Sequence, residues 1–229
     1  MTKVVGVSLR VITTDDHRGP RDAINHNWHK LFSQYNILPV LIPNQPDLVA
    51  SLLKDIPFSA LLLIGGNNVG PVDEYERSMH IDDVSKERDA TEYAIIEYAL
   101  RYHKPILGVC RGMQILNAYF DGHIIRNLKD VNLASRSHVG VTHDFDIVDA
   151  EYQSYLGEKS ANTNSFHSNA VTESTLSAEL LPFAIARDGI VEGVYHPDCP
   201  MIGIQWHPER ADSAENIDRM LIEKWLGNG

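Results

Sequence analysis

Ile106-Leu107-Gly108-Val109-Cys110-Arg111-Gly112-Met113-Gln114-Ile115-Leu116-Asn117-Ala118-Tyr119-Phe120 is the stretch that decides the fold. Its opening is a short continuous apolar run, which reads as a buried strand ending at Cys110, and Met113 to Phe120 reads as a helix. A strand that turns at once into a helix lifts the residue at the turn above the sheet in strained backbone geometry. Glycines on either side are needed because a Cβ would clash there. Gly108 and Gly112 meet that need, and Cys110 is the lifted residue. A helix N-terminus lowers a thiol pKa, and the thiolate is the nucleophile. The N–H of Arg111, next in the chain, is then free to stabilise an oxyanion. The bland alternative is one more small buried cysteine, which is what most cysteines are.

The same strand–helix alternation extends on both sides. Val4-Val5-Gly6-Val7, Ile37-Leu38-Pro39-Val40-Leu41-Ile42 and Ala60-Leu61-Leu62-Leu63-Ile64 read as further buried strands. Helical patterns run from about Asp22 to Tyr35, weakly from Asp47 to Leu53, and most strongly from Asp83 to His103 before Lys104-Pro105. Near-continuous apolar strands separated by helices imply a parallel sheet covered on both faces. The second half is different. Phe183-Ala184-Ile185-Ala186, Ile190-Val191-Glu192-Gly193-Val194 and Met201-Ile202-Gly203-Ile204-Gln205-Trp206 are short strands separated by turn signals, which suggests an antiparallel or mixed extension. A closing helix is expected from Ser213 to Leu226, packing on the core or forming a subunit contact. The expected fold class is α/β, and residues 1–229 hold no repeat or long linker that would divide them into domains.

The last strand ends before His207-Pro208-Glu209-Arg210, so His207 should stand at the carboxyl edge of the sheet, where open α/β sheets bind ligands. A thiol nucleophile needs a base, and the base needs a partner that fixes its tautomer. Glu209 is placed to be that partner. An exposed loop histidine beside a solvated glutamate is the competing reading.

Composition narrows the function classes. The 229 residues are 43% hydrophobic and 22% charged, ordinary for a globular chain. Lys and Arg number 20 against 31 Asp and Glu, a net charge of −11, which argues against nucleic acid or an anionic membrane as partner. No apolar run reaches the ~20 residues that span a bilayer. The N-terminal residues lack a signal peptide's apolar core, so a cytoplasmic location is expected. Two cysteines, Cys110 and Cys199, are too few for a disulfide framework.

Together, Gly-Val-Cys-Arg-Gly-Met-Gln at 108–114 and Gln-Trp-His-Pro-Glu-Arg at 205–210 resemble the class I glutamine amidotransferase superfamily. The resemblance is strongest to its stand-alone γ-glutamyl hydrolase branch, similar to γ-glutamyl-γ-aminobutyrate hydrolases. Gly65-Gly66-Asn67-Asn68 is similar to that family's Gly-Gly-x-Asp loop and Arg88-Asp89-Ala90-Thr91-Glu92 to its Arg-Asp-x-x-Glu helix start. Asn164-Ser165-Phe166-His167-Ser168-Asn169 resembles its Asn-Ser-x-His-x-Gln segment, and Ala186-Arg187-Asp188-Gly189-Ile190-Val191-Glu192 its Ala-x-Asp-Gly-x-x-Glu hairpin. The resemblance implies a flavodoxin-like sheet, no metal or cofactor, and a small γ-glutamyl substrate. It implies Cys110 as nucleophile, His207 as base and Glu209 as its partner, with oxyanion N–H groups from Gly66 and Arg111. Gln114 and the Ser165, Phe166, His167 stretch would hold the α-amino and α-carboxylate ends of the glutamyl group. Asn68 and Asn169 depart from the family's Asp and Gln.

The leaving half is harder to read. Arg10, Arg18 and Arg21 crowd the loop after the first strand, with Arg88 and Arg111 expected nearby. Guanidinium forks match phosphate oxygens, so Arg21 and its neighbours suit a phosphorylated leaving group. Pairing with Asp15, Asp16 and Asp22 is the alternative. The Arg-Asp-Ala segment and the Trp28 spacing also resemble the γ-glutamyl-CDP-amidate hydrolases. A glutaminase subunit serving a separate synthetase partner, and a homodimer, both stay open. His138 and His143 in Ser-His-Val-Gly-Val-Thr-His-Asp do not share a helix face, and no neighbouring carboxylate or thiol pattern completes a metal site, so none is expected.

Overall fold

Residues 2–14, 19–78, 80–128 and 137–227 are described in a computed structural model of the chain. The apolar runs become β1 (Lys3–Val7), β4 (Ile37–Leu41), β5 (Ala60–Leu63), β6 (Ile106–Val109) and β11 (Met201–Ile204). They lie side by side in the order β4-β1-β5-β6-β11, all parallel. β10 (Val191–Tyr195), β9 (Leu181–Ala186), β7 (Val139–Ile147) and β8 (Ser160–Phe166) continue the same nine-stranded sheet with antiparallel pairings. A mostly parallel sheet with an antiparallel extension is the architecture expected from the sequence. Pro39 is tolerated because β4 is an edge strand, where a missing ladder donor costs little.

Alternate residues of the central strands feed two cores. Leu62, Val109 and Ile204 face α1 (Asn27–Gln34) and α7 (Glu215–Trp225); Leu61, Leu63 and Ile106 face α2 (Pro46–Asp55), α4 (Lys86–Tyr102) and α5 (Arg111–Tyr119). Burial on both faces is why these strands are apolar throughout rather than alternating. Each large apolar side chain so buried contributes about 1.5–3 kcal/mol. Trp225 of α7 adds a hydrogen bond from its indole N–H to the Leu61 carbonyl at 3.1 Å, pinning the last helix to the sheet.

Two local expectations are corrected. The helix expected from Asp22 begins only at Asn27, because Arg21–Ala23 is strand β3, paired antiparallel with β2 (Arg10–Ile12) in a small hairpin. Asp22 there accepts from the backbone N–H and side-chain amide of Asn44, at 2.9 and 2.6 Å. In addition, β7, β8 and the intervening α6 (Ala150–Leu156) form where no strand was read, since their sequences are largely polar and mix exposed with buried positions. A four-residue helix, α3 (Glu74–Arg77), lies between β5 and α4. Among the described residues no helix is long and apolar enough to cross a membrane.

Candidate active site

The carboxyl ends of β1, β5, β6 and β11 open on one edge of the sheet, and Gly66, Cys110, Gln114, His167 and His207 gather there. Cys110 occupies the turn between β6 and α5 with φ 54° and ψ −105°. The turn tolerates nothing larger around it: a Cβ on Gly108 would lie 2.5 Å from the Gly112 carbonyl oxygen, and one on Gly112 only 2.1 Å from that of Leu63. The Cys110 N–H is donated to the Ile204 carbonyl at 2.7 Å, which ties the turn to β11.

His207 follows β11 and stands beside the Cys110 thiol under Gly65, where an added Cβ would come within 3.0 Å of His207 Cε1 and 3.8 Å of Cys110 Sγ. Its Nδ1 lies 2.7 Å from Glu209 Oε1. Burial disfavours the imidazolium, but the Cys110 thiolate and the Glu209 carboxylate outweigh it and push His207 up to about 9. Burial would likewise raise the Cys110 thiol; the His207 charge and hydrogen bond outweigh that and hold it below its ordinary value. Thiolate and imidazolium stabilise each other. The backbone that carries the histidine is clamped by Asn164, which accepts from the His207 N–H at 3.0 Å and donates to the carbonyls of His207 and Ala211 at 2.9 Å. Trp206, stacked on Phe145 and donating to Asp218 at 2.6 Å, anchors the residue before it. Asn164 lay inside a motif quoted above, yet no signal local to it revealed this clamp.

Gly65 and Gly66 cross directly over Cys110. A Cβ on Gly65 would come within 3.0 Å of His207 Cε1 and 3.4 Å of Cys110 Cβ, so the loop needs glycine in order to approach. Arg88 lies beneath this loop and donates to the carbonyls of Ile64, Gly65 and Gly66, the last at 2.7 Å. In a trans peptide the N–H points opposite to the C=O, so the Gly66 N–H is turned away from Arg88. Arg88 also donates to Glu92, which pairs with Arg111, and Arg111 reaches Asp89. Burial pushes Glu92 up, but the two guanidinium charges outweigh it and hold the carboxyl below the usual range. This corrects the expectation for two arginines: the side chains of Arg88 and Arg111 are engaged in a buried scaffold and do not face a ligand.

A cleft of about 260 Å³ opens above Cys110, with Gly66, Gln114, Phe166 and His167 in its walls. Gln114 donates to the Asn169 carbonyl and to Gln205 Oε1, both at 3.1 Å. Phe166 carries the Arg210 guanidinium 4.4 Å above its ring. Ser165 is placed differently from the reading above: fully buried, it donates to the His138 carbonyl at 2.8 Å and is not in the cleft wall. Arg21 is exposed on the hairpin and is also outside that wall, where Arg10 and Arg210 supply the positive charge instead. Arg18, Asp15 and Asp16 lie outside the described residues.

The reading of His138 and His143 is corrected as well. His167 and Glu192 converge on them, so that one donor atom from each of the four residues lies within 4.8 Å of the others. The partners arrive from β10 and from the end of β8, far away in sequence, so spacing alone gave no sign of them.

The γ-glutamyl-CDP-amidate hydrolase of Campylobacter jejuni is 28% identical over 226 residues, covering 97% of this chain and 96% of the relative. The γ-glutamyl-γ-aminobutyrate hydrolase of Escherichia coli is 29% identical over 206 residues, 82% of this chain and 79% of the relative. A glutamine amidotransferase crystal structure from Thermotoga maritima superposes with a TM-score of 0.60 at 15% identity, over 99% of this chain and 82% of that one, so the fold is shared. The Peptidase C26 family model matches residues 3–209, and the chain belongs to that family.

Proposed function

We infer that the chain is a cysteine-dependent hydrolase of γ-glutamyl amides. The observation that carries this reading is the relay from Cys110 through His207 to Glu209, beneath a glycine loop with outward N–H groups. The Cys110 thiolate attacks the γ-carbonyl carbon. The resulting oxyanion accepts hydrogen bonds from the N–H groups of Gly66 and Arg111. His207 gives its proton to the leaving nitrogen, the C–N bond breaks, and a γ-glutamyl thioester remains. Water, deprotonated by His207, then attacks the thioester, releasing glutamate and restoring the Cys110 thiolate beside a protonated His207. Gln114, in the cleft wall, is placed to meet the amino-acid head of the glutamyl group, and His167 shapes the wall beside it.

The leaving half of the substrate is anionic in this reading. Arg10 and Arg210 line the cleft, and guanidinium groups suit phosphate or carboxylate oxygens. Similarity along nearly the whole length to a γ-glutamyl-CDP-amidate hydrolase supports a phosphorylated amidate, with γ-glutamyl-aminobutyrate as the smaller anionic choice.

The test is glutamate release by the isolated chain from glutamine, γ-glutamyl-aminobutyrate, γ-glutamyl polyamines and a γ-glutamyl nucleotide amidate, with Cys110→Ala as blank. Fast release from an anionic amide and little from glutamine is the expected result. Unimpaired turnover by Cys110→Ala would overturn the mechanism, and silence on every compound would point to a glutaminase that needs a synthetase partner.

A further inference from the structure

Beside the cleft, and sharing His167 with its wall, three imidazoles surround one carboxylate. His138 Nδ1, His143 Nε2 and His167 Nε2 lie 3.8, 3.3 and 3.6 Å from Glu192 Oε1. All four side chains are buried, and Glu192 is wholly inaccessible. These separations exceed the ~2.7–3.2 Å of a good N–H···O bond. Nε2 of His143, Nε2 of His167 and both oxygens of Glu192 make no hydrogen bond of normal geometry.

The outer nitrogens explain why. His138 Nε2 is 2.9 Å from Asp188 Oδ2, His167 Nδ1 is 2.9 Å from the Asn169 carbonyl, and His143 Nδ1 is 3.3 Å from the Asp144 carbonyl. These partners only accept, so each histidine carries its proton on the outer nitrogen. In the neutral form of each ring the inner nitrogen is then a lone pair aimed at an oxygen that is itself an acceptor. Ser165 Oγ, 3.4 Å from His138 Nδ1, does not relieve this, because it gives its proton to the His138 carbonyl at 2.8 Å.

Four buried acceptors facing one another need a positive centre. A single extra proton would pair one ring with Glu192 and leave the other two inner lone pairs unmet, and a second would set like charges on imidazoles whose centroids are 4.7 and 4.9 Å apart. One dication satisfies all four lone pairs and balances the charges of Glu192 and Asp188. Imidazoles oriented by a carboxylate or carbonyl on the far nitrogen are the usual outer support of zinc ligands. Three nitrogens and one oxygen suit zinc over calcium or magnesium, and four protein donors make a closed, structural site.

We propose that His138, His143, His167 and Glu192 bind a structural divalent transition cation of the zinc type. The ion joins the start of β7, the end of β8 and β10, and so fixes the segment from His167 to Asn169 that walls the cleft.

The experiment uses the full chain carrying Cys110→Ala, so that the active-site thiolate cannot supply a signal. After chelator treatment and desalting it is titrated with Co²⁺, and then with Zn²⁺ in competition. One Co²⁺ per chain with intense visible bands of four-coordinate cobalt, displaced by one Zn²⁺, is the expected result. His143→Ala weakens binding by roughly 100-fold or more, and Asp188→Asn, which keeps every ligand, by about 10–100-fold. Circular dichroism checks that both variants are folded. Absence of stoichiometric binding by the parent chain overturns the proposal, as does unchanged affinity in a folded His143→Ala. Neither readout depends on hydrolysis, so this site and the hydrolase reading can fail separately.

Discussion

Asn169 donates its side-chain amide to Asn68 Oδ1 at 2.8 Å, joining the segment after β8 to the loop after β5. These are the two positions at which the sequence departs from the motifs it resembles. They are in contact, so the departures form one paired change. Asn169→Ala leaves Asn68 without this donor and loosens the wall of the cleft, while the relay at Cys110 is untouched. The expected outcome is a rise in KM of about 3–30-fold with kcat within about threefold, consistent with loss of a polar contact. Steady-state kinetics on the best substrate of the panel checks it.

Removing the nucleophile separates chemistry from folding. Cys110→Ala is expected to lower kcat by at least about 10⁴-fold. Because the residue is small and buried, the change in denaturant midpoint should be minor. Mass spectrometry of the acid-quenched wild-type reaction should detect a γ-glutamyl adduct that this variant lacks.

The pH dependence follows from His207. Its pKa is raised from an ordinary 6.5 to about 9, so its charged form is the favoured one in the folded protein. The stabilisation this brings is complete below the ordinary value and is lost as pH rises through about 9. Activity should therefore fall on an alkaline limb near that pH, where no imidazolium remains to protonate the leaving nitrogen. Glu209→Gln removes a carboxylate that favours the charge and moves the limb to lower pH. The Tm advantage of the wild type over Glu209→Gln should also shrink across the same interval.

Arg88→Met tests the scaffold under the glycine loop. It leaves Glu92 buried with one fewer cation and strips a donor from three carbonyls. About 3–5 kcal/mol of stability should be lost, the usual cost of breaking a buried pair, as read by urea denaturation. Survival of full stability would mean that the scaffold is not a coupled unit.

Arg10→Ala addresses the leaving half. The side chain lines the cleft and packs against Gly66, whose added Cβ would lie 3.0 Å from Arg10 Nε. Turnover of phosphorylated amides should fall about 10–100-fold in kcat/KM, the equivalent of about 1.4–2.7 kcal/mol, with glutamine affected far less. Equal losses on neutral and phosphorylated amides would assign Arg10 to the loop and not to the substrate.

Most of the parallel half was legible in the sequence because a strand buried on both faces must be apolar at every position, as Ala60 to Leu63 and Ile106 to Val109 are. The turn at Cys110 was legible for a related reason: steric exclusion leaves glycine at 108 and 112, and glycine is visible in a sequence. Strands β7 and β8 were not legible, since their polar residues answer to long-range antiparallel partners. The hairpin of Arg10–Ile12 with Arg21–Ala23 was hidden in the same way. Whether an arginine faces a ligand or a buried glutamate depends on residues elsewhere in the chain, so Arg88 and Arg111 read as neighbours of a phosphorylated ligand when they are interior struts. The meeting of His138 and His143 with Glu192 has the same origin.

Arg88 has one more effect, an electrical one. By capturing the oxygens at 64, 65 and 66 from below, it orders consecutive peptide dipoles with their positive ends upward. A molecule whose net charge of −11 should repel anions thus offers them a small receptive patch beside Cys110. The patch is in place before any ligand arrives, so no reorientation has to accompany the appearance of negative charge during the reaction.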